Sequence, residues 1–189
     1  MKKVSVMSVR PEWLAKILNG EKTVEIRTRV PKDFVGEIHL ACTKGKPVLS
    51  DMQNYEKELF HQRFYLFYDF LENRPEPLNG KVVAKFDYDY KNVKRISYDI
   101  IEDYAGDMED VCIKERVYER IVNNACLDYE HMSKYSKCKP LFAIPLTNLA
   151  IFNKPRELGK YYSQKDYYKA SLTRCPQSYQ FAYVEEETK

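Results

Sequence analysis

The hydrophobic period changes repeatedly at the start of the chain, and this order constrains the fold more than any other feature of the sequence. Residues 4–9 alternate weakly between apolar and polar side chains, which predicts a β-strand. A stripe at helical spacing follows, with Pro11 at its first turn and Gly20 at its end, which predicts a helix. Residues 24–30 and 37–42 predict two more strands. This opening lacks regular βαβ alternation, so it argues against a doubly wound parallel sheet.

The rest of the chain adds short strands and short helices. Strands are predicted at residues 81–87, 93–98, 141–152 and 177–184, and helices at residues 113–122 and 128–135, the latter capped by Asp128. The pattern is mostly β with a few helices and contains no internal repeat. We therefore predict the α+β class, as a small, partly closed β-barrel with flanking helices.

One segment, residues 44–79, interrupts this pattern. Phe60, Phe64 and Leu71 recur at helical spacing, so we predict an amphipathic helix over residues 59–71 within an insertion. The length of 189 residues otherwise suits a single domain, residues 1–189. The inserted helix has three candidate roles: a lid, a contact with a protein partner or a second copy, or packing alone.

Composition limits the classes of protein to which the chain can belong. It is 31% charged with a mean hydropathy of −0.60, and no apolar run approaches the roughly 20 residues of a membrane-spanning helix. The first residues lack the long apolar region of a signal peptide, so we expect a cytoplasmic protein with no membrane partner. The net charge of +3 permits a nucleic acid partner without arguing for one.

The cysteines and histidines form no recognisable metal or catalytic motif. The five cysteines include no CxxC pair, whereas a zinc site needs closely spaced ligands. The three histidines are scattered, and no GxSxG, HExxH or phosphate-cradling glycine loop occurs. We therefore predict neither a metal nor a cofactor.

Charged residues alternate through the segment GEKTVEIRTR, residues 20–29. Strand geometry places Glu25, Arg27 and Arg29 on one face, with Lys22 just before them. One interpretation is a solvated strand face with weak ion pairs. The other is a polar floor, on which the arginines bind an anion and the carboxylate accepts a hydrogen bond or moves a proton.

Two further polar groups are candidate binding elements. Arg10 stands at the predicted helix N-terminus, where unpaired N–H groups attract anions. Arg174, Gln177 and Ser178 precede the last predicted strand, and they supply an anion donor and an amide that can read a base edge. On spacing alone, each group also fits an ordinary capped helix or surface loop.

Taken together, these segments resemble the ASCH domain, a branch of the PUA-like superfamily. The segment SVRPEWLAKILNGEKTVEIRTRVP is similar to that family's opening signature: a strand ending in Arg-Pro, a helix, then Gly-x-Lys-Thr-x-Glu-x-Arg. The segments GKVVAKFD, LTNLAIFNKPRELGKY and RCPQSYQFAYVEE follow in the order seen in larger, phage- or prophage-associated members. The resemblance implies a small β-barrel with helices beside a cleft.

The resemblance also implies that Arg10, Lys22, Glu25 and Arg27 line this cleft. Members of the family are thought to bind RNA or nucleotide-like ligands. Some small members are similar to amidohydrolases of acylated cytidines, and others to ribonucleases.

The sequence departs from the family pattern in two places. In the hydrolase type a threonine nucleophile lies three residues after the motif lysine; Lys22 matches that lysine, but Glu25 occupies the threonine position. The second departure is Ile144-Pro145, where larger members often carry Trp-His. The first departure makes binding a better-supported function than catalysis.

We therefore expect a module that binds RNA or a modified nucleotide. In this hypothesis Arg10, Arg27 and Arg174 contact phosphate, and Glu25 or Gln177 reads a base edge while tyrosines stack on bases.

Two alternatives stay open. One is a metal-independent hydrolase of acylated nucleosides or RNA, in which Lys22 activates the attacking group and Glu25 is the general base. The other is a phage accessory protein that binds a protein partner, or a second copy, through the helix at residues 59–71.

Overall fold

The structure, a computed structural model, describes residues 1–44, 78–96, 118–137, 139–163 and 170–185. The helix expected at residues 59–71 lies outside these ranges, as does most of the expected insertion at residues 44–79. The roles considered for that helix therefore stay predictions.

The described strands are β1 (Lys2–Val9), β2 (Val24–Arg27), β3 (Val35–Cys42), β4 (Lys81–Asp89), β5 (Lys94–Ile96), β6 (Leu141–Pro145), β7 (Thr147–Glu157), β8 (Tyr161–Tyr162) and β9 (Tyr179–Val184). Six of them form one sheet in the order β7-β4-β3-β1-β9-β8, and the other three form a second sheet in the order β2-β6-β5. Within the described residues the helices are α1 (Pro11–Leu18), α2 (described over residues 118–125) and α3 (Tyr129–Ser136). The same part of the chain has 3-10 turns at Tyr90–Asn92 and Leu158–Lys160.

Strand β1 lies inside the six-stranded sheet, paired in parallel with β3 and antiparallel with β9. Its residues from Val4 onward are all buried. Alternate side chains enter two different apolar clusters, Met7 in the cluster that includes α1 and Val6 in the other. Burial on both faces explains why the sequence of β1 alternates only weakly.

The three-stranded sheet has an apolar cluster of its own. In this cluster Ile26 of β2 packs with Ile121 of α2 and Met132 of α3. Because side chains alternate along a strand, Ile26 in this cluster turns Glu25 and Arg27 to the opposite face of β2. The helix–sheet packing thus sets the direction of the charged side chains.

The predicted α+β class is confirmed, and each strand predicted within the described residues overlaps an observed one. Among these residues the strands form two separate sheets rather than one closed barrel. Asp128 caps α3 as predicted, because its carboxylate accepts a hydrogen bond from the His131 N–H at 2.7 Å. None of the described helices is long and apolar enough to cross a membrane.

Candidate functional site

Three charged side chains meet in a buried group, here called the ion cluster: Lys22, Glu25 and Arg27. One carboxylate oxygen of Glu25, Oε2, lies 3.4 Å from Lys22 Nζ, and the other, Oε1, lies 2.8 Å from Arg27 Nε. The side chains of Lys22, Glu25 and Arg27 are only 2%, 7% and 11% exposed. These three charged side chains therefore do not lie on a solvated strand face, whereas Arg29 is exposed.

The ion cluster joins three parts of the chain through main-chain carbonyls. Lys22 Nζ donates a hydrogen bond of 2.7 Å to the carbonyl oxygen of Ala125 in α2. The Arg27 guanidinium donates to the carbonyl oxygen of Ser8 in β1. Lys22 Nζ also lies 5.5 Å from the centre of the Trp13 ring in α1, a distance typical of a cation–π contact.

Burial affects the ionisation and the hydrogen bonding of the ion cluster. Burial lowers the pKa of Lys22, and the neighbouring Glu25 carboxylate opposes this shift. Glu25 Oε2 and Arg27 Nε are buried but make no aligned hydrogen bond, so their close contacts are ion pairs only. The net charge of the three ionised groups is one positive unit, which makes the cluster a source of positive potential inside the protein.

A cleft of about 520 Å³ lies beside β9 and is here called the arginine cleft. Its described lining includes Arg29, Arg174, Gln177, Ser178, Tyr179 and Phe181. None of the described lining residues is acidic. Such a surface offers positive charge, amide groups and aromatic rings, which suits an anionic ligand that carries a ring system.

The predicted site residues fall into separate places. Arg174, Gln177 and Ser178 line the arginine cleft, whereas none of the ion-cluster residues is among its described lining. Arg10 is the residue before α1, and its side chain is 77% exposed, with Glu12 at 3.9 Å. These site assignments remain predictions.

Arg29 is a cleft residue whose role the sequence pattern left closer to that of a solvated surface. It follows the end of β2 and is exposed. The sequence feature that pointed to Arg29 is its spacing of two residues from Arg27, since a continuous strand would place both side chains on the same face.

Ser8 connects the ion cluster to the arginine cleft. Its carbonyl oxygen accepts from Arg27, while its N–H donates to the carbonyl oxygen of Ser178 at 3.2 Å. The Ser8 hydroxyl lies 3.4 Å from the same oxygen. Ser8 is therefore the residue of β1 that is hydrogen-bonded both to the ion cluster and to the cleft segment.

The second departure from the family pattern lies directly beside the ion cluster. In the β2–β6 ladder Ile144 pairs with Glu25, and Pro145 pairs with Val24. Ile144 is fully buried in the main apolar cluster. An aliphatic side chain beside Glu25 adds to the burial of the carboxylate and supplies no proton-transfer group there.

A second polar network lies elsewhere in the large sheet, around His39. His39 is 1% exposed, with Nδ1 2.8 Å from the Tyr161 hydroxyl and Nε2 3.1 Å from Glu37 Oε2. Because a carboxylate only accepts, we assign the ring proton to Nε2, so Nδ1 accepts from Tyr161. Glu37 also accepts from Lys85 at 2.8 Å and pairs with Lys2 at 2.9 Å. This network links strands of the large sheet and shares no residue with the ion cluster.

Comparison with solved structures identifies the fold. The crystal structure of the ASCH protein from Zymomonas mobilis aligns with a TM-score of 0.52 and 16% identity, covering 94% of this chain and 85% of the other. The chain has the ASCH fold. A tyrosine-to-phenylalanine variant of the same protein aligns with a TM-score of 0.53, 16% identity, and coverage of 95% and 89%. A serine-to-alanine variant aligns at 0.52 and 15% identity, covering 94% and 86%.

At this level of identity the ASCH likeness concerns the fold alone. No family model matches the sequence, and no curated protein matches it. Among the described residues no group of three or more His, Cys, Asp or Glu side chains could hold a metal ion. The chemistry of the ion cluster and of the arginine cleft is therefore the basis for proposing a function.

Proposed function

We propose that this protein is a binding module for RNA or a nucleotide-like ligand, and that the ligand occupies the arginine cleft. The observation that carries the proposal is the combination of exposed arginines, amides and aromatic rings in a cleft whose described lining contains no acid. Phosphate, base edges and base faces are complementary to these groups. The net charge of the whole chain is only +3. The positive potential that attracts the ligand therefore comes from the arginines of the cleft rather than from the protein as a whole.

Each lining residue has a distinct part in this proposal. Arg29 and Arg174 contact phosphate, because a guanidinium offers paired N–H donors that match phosphate oxygens. Gln177 reads a base edge with its amide, and Tyr179 offers a ring for stacking. The ion cluster holds β2 against β1, because Arg27 donates to the Ser8 carbonyl oxygen.

We expect a short single-stranded oligoribonucleotide to bind, and Arg174→Ala to weaken its affinity about tenfold or more, since one charge-assisted phosphate contact is lost. The measurement is fluorescence anisotropy of a labelled oligonucleotide. If Arg29 and Arg174 together neutralise two phosphate charges, log K should fall with log salt concentration at a slope of about −1.4.

Arg95→Ala is the matched control for this binding experiment. Arg95 is an exposed arginine of β5 that is not among the described cleft residues, so its loss should leave affinity nearly unchanged. Absence of binding at low salt would exclude the proposed function. Equal losses for Arg95→Ala and Arg174→Ala would mean that binding is not located in the cleft.

The hydrolase alternative has one supporting observation, the lowered pKa of Lys22 beside a carboxylate. Against it, Lys22 Nζ already donates to Ala125 and pairs with Glu25 at a side-chain exposure of 2%. We therefore expect no turnover of N4-acetylcytidine or of RNA, as measured by chromatography of the reaction mixture. Turnover that disappears in a folded Lys22→Met variant would favour the hydrolase instead.

A further inference from the structure

We propose that the arginine cleft recognises a nucleoside phosphomonoester, with its dianionic phosphate held between Arg29 and Arg174. This inference rests on the proposed function and names the ligand class of the same site. Two kinds of molecule carry such a phosphomonoester: a free nucleoside monophosphate and the phosphorylated end of an RNA strand.

The charge of the cleft favours a monoester over a diester. Arg29 and Arg174 are both exposed, and within the described part of the chain neither has an ion-pair or hydrogen-bond partner. Since the described lining contains no acid, none of these lining residues neutralises their two positive charges. A phosphomonoester carries about −1.5 to −2 charges at pH 7. An internal phosphodiester carries a single negative charge, so it compensates only half of this charge.

The two arginines come from distant segments that converge on Ser8. Arg29 follows β2, and the last residue of β2, Arg27, donates to the Ser8 carbonyl oxygen. Arg174 begins the segment that leads to Ser178, whose carbonyl oxygen accepts from the Ser8 N–H at 3.2 Å. The Cys175 thiol, next to Arg174, donates to the Cys42 carbonyl oxygen at 3.2 Å. Both arginines are thus attached to anchored backbone, which lowers the entropy lost on binding.

The aromatic side of the cleft extends recognition from phosphate to a nucleoside. Tyr179 and Phe181 meet edge to face, with ring centres 6.0 Å apart. Phe181 already has Lys3 Nζ 4.5 Å from its ring centre and the Phe34 ring at 5.2 Å. Because Phe181 already has a cation and a second ring against it, we assign the base to Tyr179, and the amides of Gln177 and Gln180 stand on either side of Tyr179 in the sequence. A bare phosphate would leave these groups unused.

The test compares matched ligands by isothermal titration calorimetry. The probes are one oligoribonucleotide with a 5′-phosphate, a 3′-phosphate or neither, and adenosine and cytidine 5′-monophosphates beside their nucleosides. We expect a terminal phosphate to tighten binding about tenfold or more. The phosphorylated oligonucleotides report a strand end, and the monophosphates report a free nucleotide.

A pH series tests the charge of the ligand directly. The second phosphate ionisation lies near pH 6, so the advantage of a terminal phosphate should shrink between pH 7 and pH 5. Among the described residues, the charged or titratable groups near the phosphate are Arg29, Arg174, Tyr179, the Cys175 thiol next to Arg174 and, on the Phe181 ring, Lys3. Burial raises the pKa of the Cys175 thiol. The matched unphosphorylated probe, measured at each pH, reports any effect of the protein's own groups. If the affinity advantage of the phosphorylated probe decreases as its phosphate becomes protonated, the inference is supported.

Substitutions locate the effect within the cleft. Arg29→Gln and Arg174→Gln should each abolish most of the preference for the phosphorylated probe, while Arg95→Gln should preserve it. Both cleft arginines are exposed, so these variants should fold, as circular dichroism can verify. Equal affinity for phosphorylated and unphosphorylated RNA would overturn the inference and leave the proposed function intact. Absence of binding to every probe would overturn both.

Discussion

Replacing Glu25 with alanine is expected to lower the free energy of unfolding by about 3–5 kcal/mol, because the change leaves two buried cations without their shared carboxylate. Lys22 and Arg27 both pair with Glu25, and all three side chains are almost completely buried. Chemical denaturation followed by circular dichroism measures the change.

The exposed ion pair Lys134–Glu130 supplies a matched control. Its two charged atoms are 2.6 Å apart, closer than Lys22 and Glu25, but both side chains are 74% exposed. Glu130→Ala should therefore cost no more than about 1 kcal/mol. A similar small loss for Glu25→Ala would show that the buried carboxylate does not hold the two cations in place.

Acid is expected to destabilise the protein in a pH window set by His39. Burial lowers the pKa of His39 to about 4, although its hydrogen bond to Glu37 opposes the shift. The folded state therefore keeps this ring neutral, whereas the unfolded chain takes up a proton below pH 6.5. Stability falls as the pH drops from about 6.5 to about 4, by up to about 3 kcal/mol. Thermal unfolding across this range measures the effect.

Protonation of Glu37 causes a second loss of stability at lower pH. Burial raises its pKa, but hydrogen bonds from Lys85, Lys2 and His39 outweigh this and bring the pKa to about 2. Its contribution is present above pH 4.5 and is lost as the pH falls toward 2.

Two histidine variants separate these pH effects. His39→Asn should remove the slope between pH 6.5 and pH 4, while His131→Asn, at an exposed position, should retain it. A wild-type profile that is flat in this window would contradict the assignment of a neutral buried His39.

Strand alternation was enough to place Glu25 and Arg27 on one side of the chain. Lys22 precedes β2, and only the resemblance to the ASCH family grouped it with them. The alternation could not predict their burial, since the enclosing contacts come from distant residues. Ala125, which accepts from Lys22, is 103 positions away in the sequence, and Ile144 joins through the β2–β6 ladder. A strand pattern records which side chains share a face, but not what covers that face.

The arginine cleft was predicted only in part, for the same reason. The composition of the segment at Arg174, Gln177 and Ser178 indicated an anion site, and these residues do line the cleft. The alternation of the predicted strand grouped Arg29 with Glu25 and Arg27, but the observed β2 ends at Arg27 and Arg29 lies in the cleft instead. The meeting of Arg29 with the Arg174 segment depends on the pairing of β1 with β9, which local periodicity does not encode.

That pairing also has a kinetic consequence. Ser8 and Ser178 contact each other across 170 positions of sequence, and β9 lies next to β1 inside the sheet. Closing so long a loop is slow, and a chain emerging from the ribosome must wait for β9 before these contacts can form. We therefore expect nascent chains that lack β9 to be without a binding surface and to expose one edge of β1, where they depend on chaperones.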